Sequence, residues 1–420
     1  MTEKKSTPQE EELYPRAFIQ SLPKSDLHVH LDGSLRLETL IELAKEQNLE
    51  LPSYTVEGLK ELVFKPSYAN LGEYLYGFHF LTGVLQDPKS LERAAYEFAW
   101  DNINEGVCYV EPRFAPQLHI NDKQTMEDVL TAVNHGLVQA KHERNNMSAV
   151  VDGSQPPFEY GIIACAMRHF EPTFSEYYRR LYEVHQHSNK KEIHAIASLE
   201  LARGITKIRD QLGIPIVGFD LAGEEAGYPA EHHQAAFTHV HRHFLKKTVH
   251  AGEAFGPESI FQAITDIHAD RIGHGYYLFD ASAVQDPIIT NRERYVQDLA
   301  AYIADRRITV EVCLTSNMQT NPRIKELRNH QFRLMRAHKI STTICTANRT
   351  VSNTTMTDEL YKAANVFALG RRELKNIVIY GFKRSFFRGS YLEKREYVRQ
   401  VIDHYERAEE EFFGNFEPKQ

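Results

Sequence analysis

Eight short, apolar or β-branched runs constrain the fold of this 420-residue chain more than any other feature. They are SDLHVHLD (25–32), VCYVEPRF (107–114), YGIIACAMR (160–168), PIVGFDLAG (215–223), KTVHAGE (247–253), RIGHG (271–275), ITVEVCLTS (308–316) and STTICTA (341–347). Most are separated by room for a helix, such as SLERAAYEFAWDNINEG before the second run and NRERYVQDLAAYIADRR before the seventh. Strands that alternate with helices pair in parallel, and eight such units suffice to close an α/β (β/α)8 TIM barrel with extra helices. A doubly wound open sheet is the competing architecture. No long Gly/Ser/Pro linker or internal repeat interrupts the pattern, so residues 16–420 read as a single domain behind a flexible N-terminal arm, residues 1–15. The final stretch, EEEFFGNFEPKQ, reads as a frayed end.

Charge narrows the function. Lys+Arg 49 against Asp+Glu 57 gives a formal charge of −8, so no basic field exists to gather a nucleic acid. No apolar run approaches the length of a membrane-spanning helix, and the N-terminus is charged where a signal peptide would be apolar. A cytoplasmic protein that does not engage membranes is the expectation. Cys108, Cys165, Cys313 and Cys345 lie far apart inside apolar runs, as expected of buried reduced thiols.

Ionisable and small polar residues collect at the ends of the runs: His28, His30 and Asp32; Glu111 and Arg113; Arg168; Asp220; His250 and Glu253; His274; Ser316 and Asn317. In a barrel these ends converge on one mouth. His28-Val29-His30 carries the most information, because residues two apart on a strand face the same side and can offer two imidazoles to one metal ion. His-Ala-Gly-Glu at 250–253 adds a third imidazole beside a carboxylate. A rival cluster, His232, His233, His239, His241 and His243, falls in a helical segment before the fifth run and is expected to be a solvated face of the outer ring. The chain has no H-E-x-x-H, C-x-x-C, G-x-S-x-G or Walker A pattern, nor the H-x-E with P-C-x-x-C of cytidine-type deaminases.

The ordered set LPKSDLHVHLDGSL, NLGEYLYGFHF, GVCYVEPRFAP, GIIACAMRHF, GFDLAGEE, VHAGE, RIGHG, VCLTSN and ICTANRTVSNT resembles the adenosine deaminase family of amidohydrolase-type barrels over nearly the whole chain. The resemblance implies zinc held by His28, His30 and His250, and deamination of adenosine or 2′-deoxyadenosine at purine C6. Glu253 and His274 are implied to act around the attacking water, Glu253 by protonating N1. Gly223 is implied to present its backbone N–H to the purine, Asp32 to bond a ribose hydroxyl, and Leu71, Tyr74, Leu75 and Phe78 to form an apolar lid. Their helical spacing alone would fit ordinary core packing. Asp220 is expected as support behind the ligands, and Glu111 with Arg113 as a buried pair bracing the mouth.

One departure matters. Most of the family reads Thr-Asp-Asp-Pro at the eighth strand, and a bacterial branch reads Thr-Asp-Asn-Arg, the first Asp being a zinc ligand; here the residues are Thr346-Ala347-Asn348-Arg349. Asn348 can still donate to purine N7. Ala347 has no atom that can ligate a metal. Asp358 and Glu359 are expected to start a helix beyond a loop rather than to substitute. The expectation is a purine-nucleoside site with weakened zinc affinity and impaired or abolished turnover. The alternatives are a catalytically inactive nucleoside-binding protein, or a deaminase of adenine or of a modified aminopurine.

Overall fold

The computed structural model describes residues 13–321 and 323–414. All eight expected runs contribute strands to one parallel sheet: β1 (Lys24–His30), β2 (Val107–Phe114), β3 (Glu159–Tyr160), β4 (Ile162–Met167), β5 (Ile216–Ala222), β6 (Lys246–Ala251), β7 (Arg271–His274), β8 (Thr309–Val312) and β9 (Ser341–Ile344). Their order is β1-β2-β4-β5-β6-β7-β8-β9, with the two-residue β3 beside β2. The sheet closes where β1 meets the chain beyond β9. Val29 bridges Ala347, the Ala347 N–H donates to the His28 carbonyl at 2.8 Å, and the His30 N–H donates to the Ala347 carbonyl at 2.7 Å. That closure removes the open-sheet alternative and makes the fold a (β/α)8 barrel.

Two runs end differently from their sequence reading. The third is broken at Gly161, whose missing Cβ leaves room for Val217; a Cβ there would stand 2.5 Å from Val217 Cγ2. The seventh stops at Val312, and Leu314–Thr320 is a helix that carries Ser316 and Asn317. Apolar and β-branched residues bury equally well in both settings, so periodicity over so short a run cannot separate them.

The outer helices start where their caps demand. Thr125, Asn189 and Ser390 each close a capping box with the residue three further on. Gly136, in the helix Met126–Asn145, lets that helix lie against the backbone of Pro88–Ile103. A Cβ at 136 would stand 2.2 Å from the Glu92 carbonyl oxygen and 2.8 Å from the Tyr96 nitrogen.

Residues 1–12 and 415–420 lie outside the described residues, and with them most of the expected arm and tail. Tyr14 nevertheless is buried: its N–H donates to Asn365 Oδ1 and its hydroxyl to the Leu369 carbonyl, both at 2.8 Å. The C-terminal helix Tyr391–Phe413 is likewise anchored through its last turn, where the Phe412 and Phe413 rings lie 5.5 and 4.8 Å from Phe18. Aromatic burial thus holds both ends of the described chain, and residues 409–413 are not frayed. The 146–158 segment leads into the N-terminal ends of β3 and β4, where Arg407 holds the Ser154 carbonyl and Tyr397 the Pro157 carbonyl. It sits at the end of the barrel opposite the mouth.

Glu111 and Arg113 are not a pair. Arg113 bridges Asp220 and Glu311, each at 3.0 Å, while Glu111 binds Arg271. Residues two apart on a strand point the same way but stand nearly 7 Å apart along it, so each finds its partner across the barrel. These groups are buried beneath the mouth.

Because rigid backbone faces Gly136, Gly136→Ala should destabilise the protein by about 1–3 kcal/mol in urea unfolding. An unchanged midpoint would mean that the two helices can separate freely.

Candidate active site

A cavity of about 570 Å³ opens at the C-terminal ends of the strands. His30, Asp32, Ala115, Met167, Gly223, His250, Glu253, His274 and Asn348 form its floor and walls, and Leu71, Tyr74, Leu75 and Phe78 its roof. The roof comes from two short helices, Leu71–Tyr76 and Phe78–Gly83, the first started by the Asn70 side chain accepting from the Glu73 N–H. Leu71, Leu75 and Phe78 remain partly exposed. Tyr74 is buried, with its hydroxyl 2.8 Å from Ser352 Oγ and 2.7 Å from Asn348 Nδ2.

His28, His30 and His250 converge on the floor. The ligand atoms of these three residues lie within 4.8 Å of one another. His30 Nε2 and His250 Nε2 are 3.1 Å apart. That is close to the edge of roughly 3.3 Å expected for a tetrahedron with zinc–nitrogen bonds of about 2.05 Å. His28 Nδ1 lies 2.8 Å from Glu311 Oε2, and His250 Nδ1 lies 3.0 Å from Asp220 Oδ2. Each carboxylate takes the N–H of its ring and turns the Nε2 lone pair inward. His28 Nε2 is buried and has no hydrogen-bond partner. Burial, joined by the Arg113 charge for His28 and by His250 for His30, holds both rings well below the usual imidazole pKa and therefore neutral, as metal ligands must be. The donor set fits a divalent transition-metal ion.

Gly273 makes room for this arrangement. A Cβ there would stand 2.9 Å from His28 Cε1 and 3.3 Å from His250 Cα. Asp220, expected as support behind the ligands, lies between Arg113 and His250.

Glu253 and His274 face each other, with His274 Nε2 3.4 Å from Glu253 Oε1. Burial raises the Glu253 pKa to about 7, with the neighbouring Glu225 charge pushing the same way. The loop carrying Glu253 is held by Glu225, whose carboxylate accepts the backbone N–H groups of Gly252, Glu253, Ala254 and Phe255 at 2.6–3.0 Å. Arg168, also buried, donates to the carbonyls of His250 and Tyr228 at 2.6 and 2.8 Å.

The remaining expected residues line the same cavity. Asp32 is buried, accepts the Gly33 N–H at 2.9 Å, and has its pKa raised by burial to about 7. Gly223 has φ +101, a conformation open to glycine, while a Cβ would meet Met167 Cε and the Arg168 nitrogen at ordinary contact distances of 3.4 and 3.9 Å. Backbone conformation rather than crowding requires glycine there. Asn348 donates one of its amide hydrogens to Tyr74, which leaves a second. Ala347 is buried beside the imidazoles in the left-handed region, φ +59, and brings no donor.

Among the described residues, no carboxylate from beyond β9 replaces it. Glu359 binds Thr315 and Thr354, and Asp358 pairs with Arg16. In the rival histidine segment, the His239 and His243 rings stack at 4.3 Å on the outer surface. His233 departs from the expected solvated face: it is buried and bonded to Ser198 Oγ at 3.0 Å. The helix turns it toward its neighbour Lys190–Leu212, which carries Ser198. Glu311, Glu225 and Gly273 escaped the sequence reading. All three lie inside quoted segments, GFDLAGEE, ITVEVCLTS and RIGHG, with nothing local to mark their partners.

Gly273→Ala should lower zinc affinity about 10- to 100-fold in a competition titration, with the far-ultraviolet circular dichroism unchanged. Equal affinity would refute the packing role. In infrared difference spectra against Glu253→Gln, a protonated carboxyl band should persist to pH about 7 in metal-free protein. Because a nearby cation favours the carboxylate, zinc should shift its loss to lower pH; an unmoved transition would place Glu253 away from the ion.

The adenosine deaminase family profile matches residues 23–404. The chain is 34% identical to an adenosine deaminase of Mycobacterium marinum over 386 residues, 91% of this chain and 95% of that one. Among solved structures, an amidohydrolase of Burkholderia ambifaria with bound zinc superposes with a TM-score of 0.72 at 18% identity, covering 95% of each chain. An adenine deaminase of Arthrobacter aurescens superposes with a TM-score of 0.69 at 19% identity, over 91% of this chain and 98% of that one. On the length of the profile match and the identity to its relatives, this chain belongs to the adenosine deaminase family, as an aminohydrolase-type enzyme.

Proposed function

We propose that the site binds an uncharged purine nucleoside, adenosine or 2′-deoxyadenosine, and hydrolyses its C6 amine to the inosine product and ammonia, with turnover limited by Ala347. The observation that carries this reading is the meeting of His28, His30 and His250 below Glu253 and His274 at the floor of an apolar cavity. The three imidazoles would hold zinc, which when bound supplies a Lewis-acid centre that lets water serve as nucleophile at neutral pH.

The protein's own groups account for the rest. Glu253, whose pKa burial raises, can give its proton to N1 and make C6 electrophilic. His274, whose Nε2 lies 3.4 Å from Glu253 Oε1, borders the same space. Gly223 leaves its N–H open to the purine, Asn348 keeps an amide hydrogen for N7, and Asp32 stands ready for a ribose hydroxyl. Leu71, Leu75 and Phe78 shut out water, while Tyr74 fixes the roof to Ser352. Among the described residues the cavity is lined by no Lys or Arg and by Asp32, Glu224 and Glu253, which favours a neutral nucleoside over a nucleotide.

Ala347 is the reason for reduced turnover. Alanine in the left-handed region is disfavoured by about 1 kcal/mol, whereas aspartate tolerates it, so the backbone at 347 suits a carboxylate better than a methyl group. A nucleoside-binding protein without turnover is the second reading, favoured by that same missing ligand.

Zinc content and adenosine turnover measured on this chain and on Ala347→Asp separate the readings. Both should rise together, zinc affinity by roughly 10- to 100-fold or more. A fully zinc-loaded Ala347→Asp protein that leaves adenosine intact while deaminating adenine would overturn the substrate assignment. One that binds adenosine but turns over no purine would establish the second reading.

A further inference from the structure

His330 lies outside the cavity lining, fully buried between Leu327–Asn329 and the helix Phe332–Ala337, with its ring edge-on to Tyr276 at 5.1 Å. Its Nδ1 accepts the backbone N–H of Phe332 at 3.0 Å. A backbone N–H can only donate, so the His330 proton must sit on Nε2. His330 Nε2 lies 3.2 Å from Asn317 Oδ1, which accepts that proton.

The orientation of the Asn317 amide is thereby settled, and its Nδ2 points at His274 Nδ1, 3.2 Å away. His274 Nδ1 then has to accept. Its proton is left on Nε2, the atom 3.4 Å from Glu253 Oε1. Each step follows from the one before, and the first is anchored in backbone.

We propose that His330, acting through Asn317, locks His274 in the Nε2–H tautomer and so makes it a hydrogen-bond donor toward Glu253 and the reacting atoms. His330 is a positioning residue. The opposite tautomer would aim a lone pair at the Glu253 carboxyl and withdraw the donor that holds the attacking oxygen in place, while the electron pair displaced from C6 goes to N1 and is met there by the Glu253 proton. In the same tautomer the one lone pair of His274, on Nδ1, is taken by the Asn317 amide, which leaves none free for a cation shared with Cys313, although His28, His274 and Cys313 also offer ligand atoms within 4.8 Å of one another. It therefore favours His28, His30 and His250 as the metal position.

The catalytic consequence rests on the deaminase reading, but the tautomer itself can be measured without turnover. Full-length protein labelled with 15N-histidine is examined by two-bond 1H–15N correlation, with the His274 signals assigned by their loss in His274→Asn. Wild type should show Nε2–H. His330→Phe keeps the ring against Tyr276 but frees the Asn317 amide to turn, and should populate Nδ1–H. His330→Gln, with an amide N–H near the Nε2 position, should restore Nε2–H. Asn317→Asp can only accept and should force Nδ1–H, which keeps the test available if His330→Phe does not fold.

On the Ala347→Asp protein, His330→Phe should lower kcat about 10²-fold with little change in KM, and His330→Gln should recover most of it. Nδ1–H in wild type, or Nε2–H unmoved in both His330→Phe and Asn317→Asp, overturns the proposal. A tautomer that switches as described in an Ala347→Asp protein without deaminase activity supports the relay and removes the activity reading alone.

Discussion

The carboxylate of Glu311 is the contact on which the interior depends. It lies 2.8 Å from His28 Nδ1, accepts from Arg113 at 3.0 Å, Arg271 at 2.6 Å and Thr248 at 2.9 Å, and is fully buried. A buried charge persists only when paired and hydrogen-bonded, and Glu311 meets that condition by drawing in two guanidinium groups. Arg113 passes the connection on to Asp220, and Asp220 to His250. Two of the three floor imidazoles are thus oriented by one continuous set of ion pairs that also ties the strands together across the barrel. Folding and site construction are the same event in this layer.

Above it, the chain turns sharply at the strand ends. His274 and Ala347 both have positive φ, +64 and +59, at the ends of β7 and beyond β9. The turn at His274 brings its ring between Asn317 and Glu253. At Ala347 the backbone is held between the His28 carbonyl and the His30 N–H, so this residue joins the barrel seam to the strand that carries His28 and His30. A side chain at 347 enters the site by geometry whatever its chemistry. Alanine brings no donor atom to that place.

The strands and the mouth were legible because their signals are local. β-branched runs, His-x-His and His-Ala-Gly-Glu each state their geometry within a few residues, and eight strand ends can converge only if the sheet closes. Pairing was not legible. Glu111 and Arg113 read as partners from proximity along the chain, yet each binds across the barrel, and Glu311 stands 283 positions from His28. His233 read as solvated because the helical pattern alone does not say which neighbour it will face. The run 308–316 read as one strand because burial looks the same in a short strand and in the first turn of a helix.

By itself, the order of residues determined the alternation of strands and helices, the residue types available at the mouth, and the alanine at position 347. These are properties of short windows, where side-chain period and chemistry suffice. Only the tertiary structure decided which carboxylate orients which imidazole, where Gly273 yields space to His28, and which nitrogen of His274 holds its proton. Those outcomes depend on distances between remote segments, which exist only once the barrel has closed.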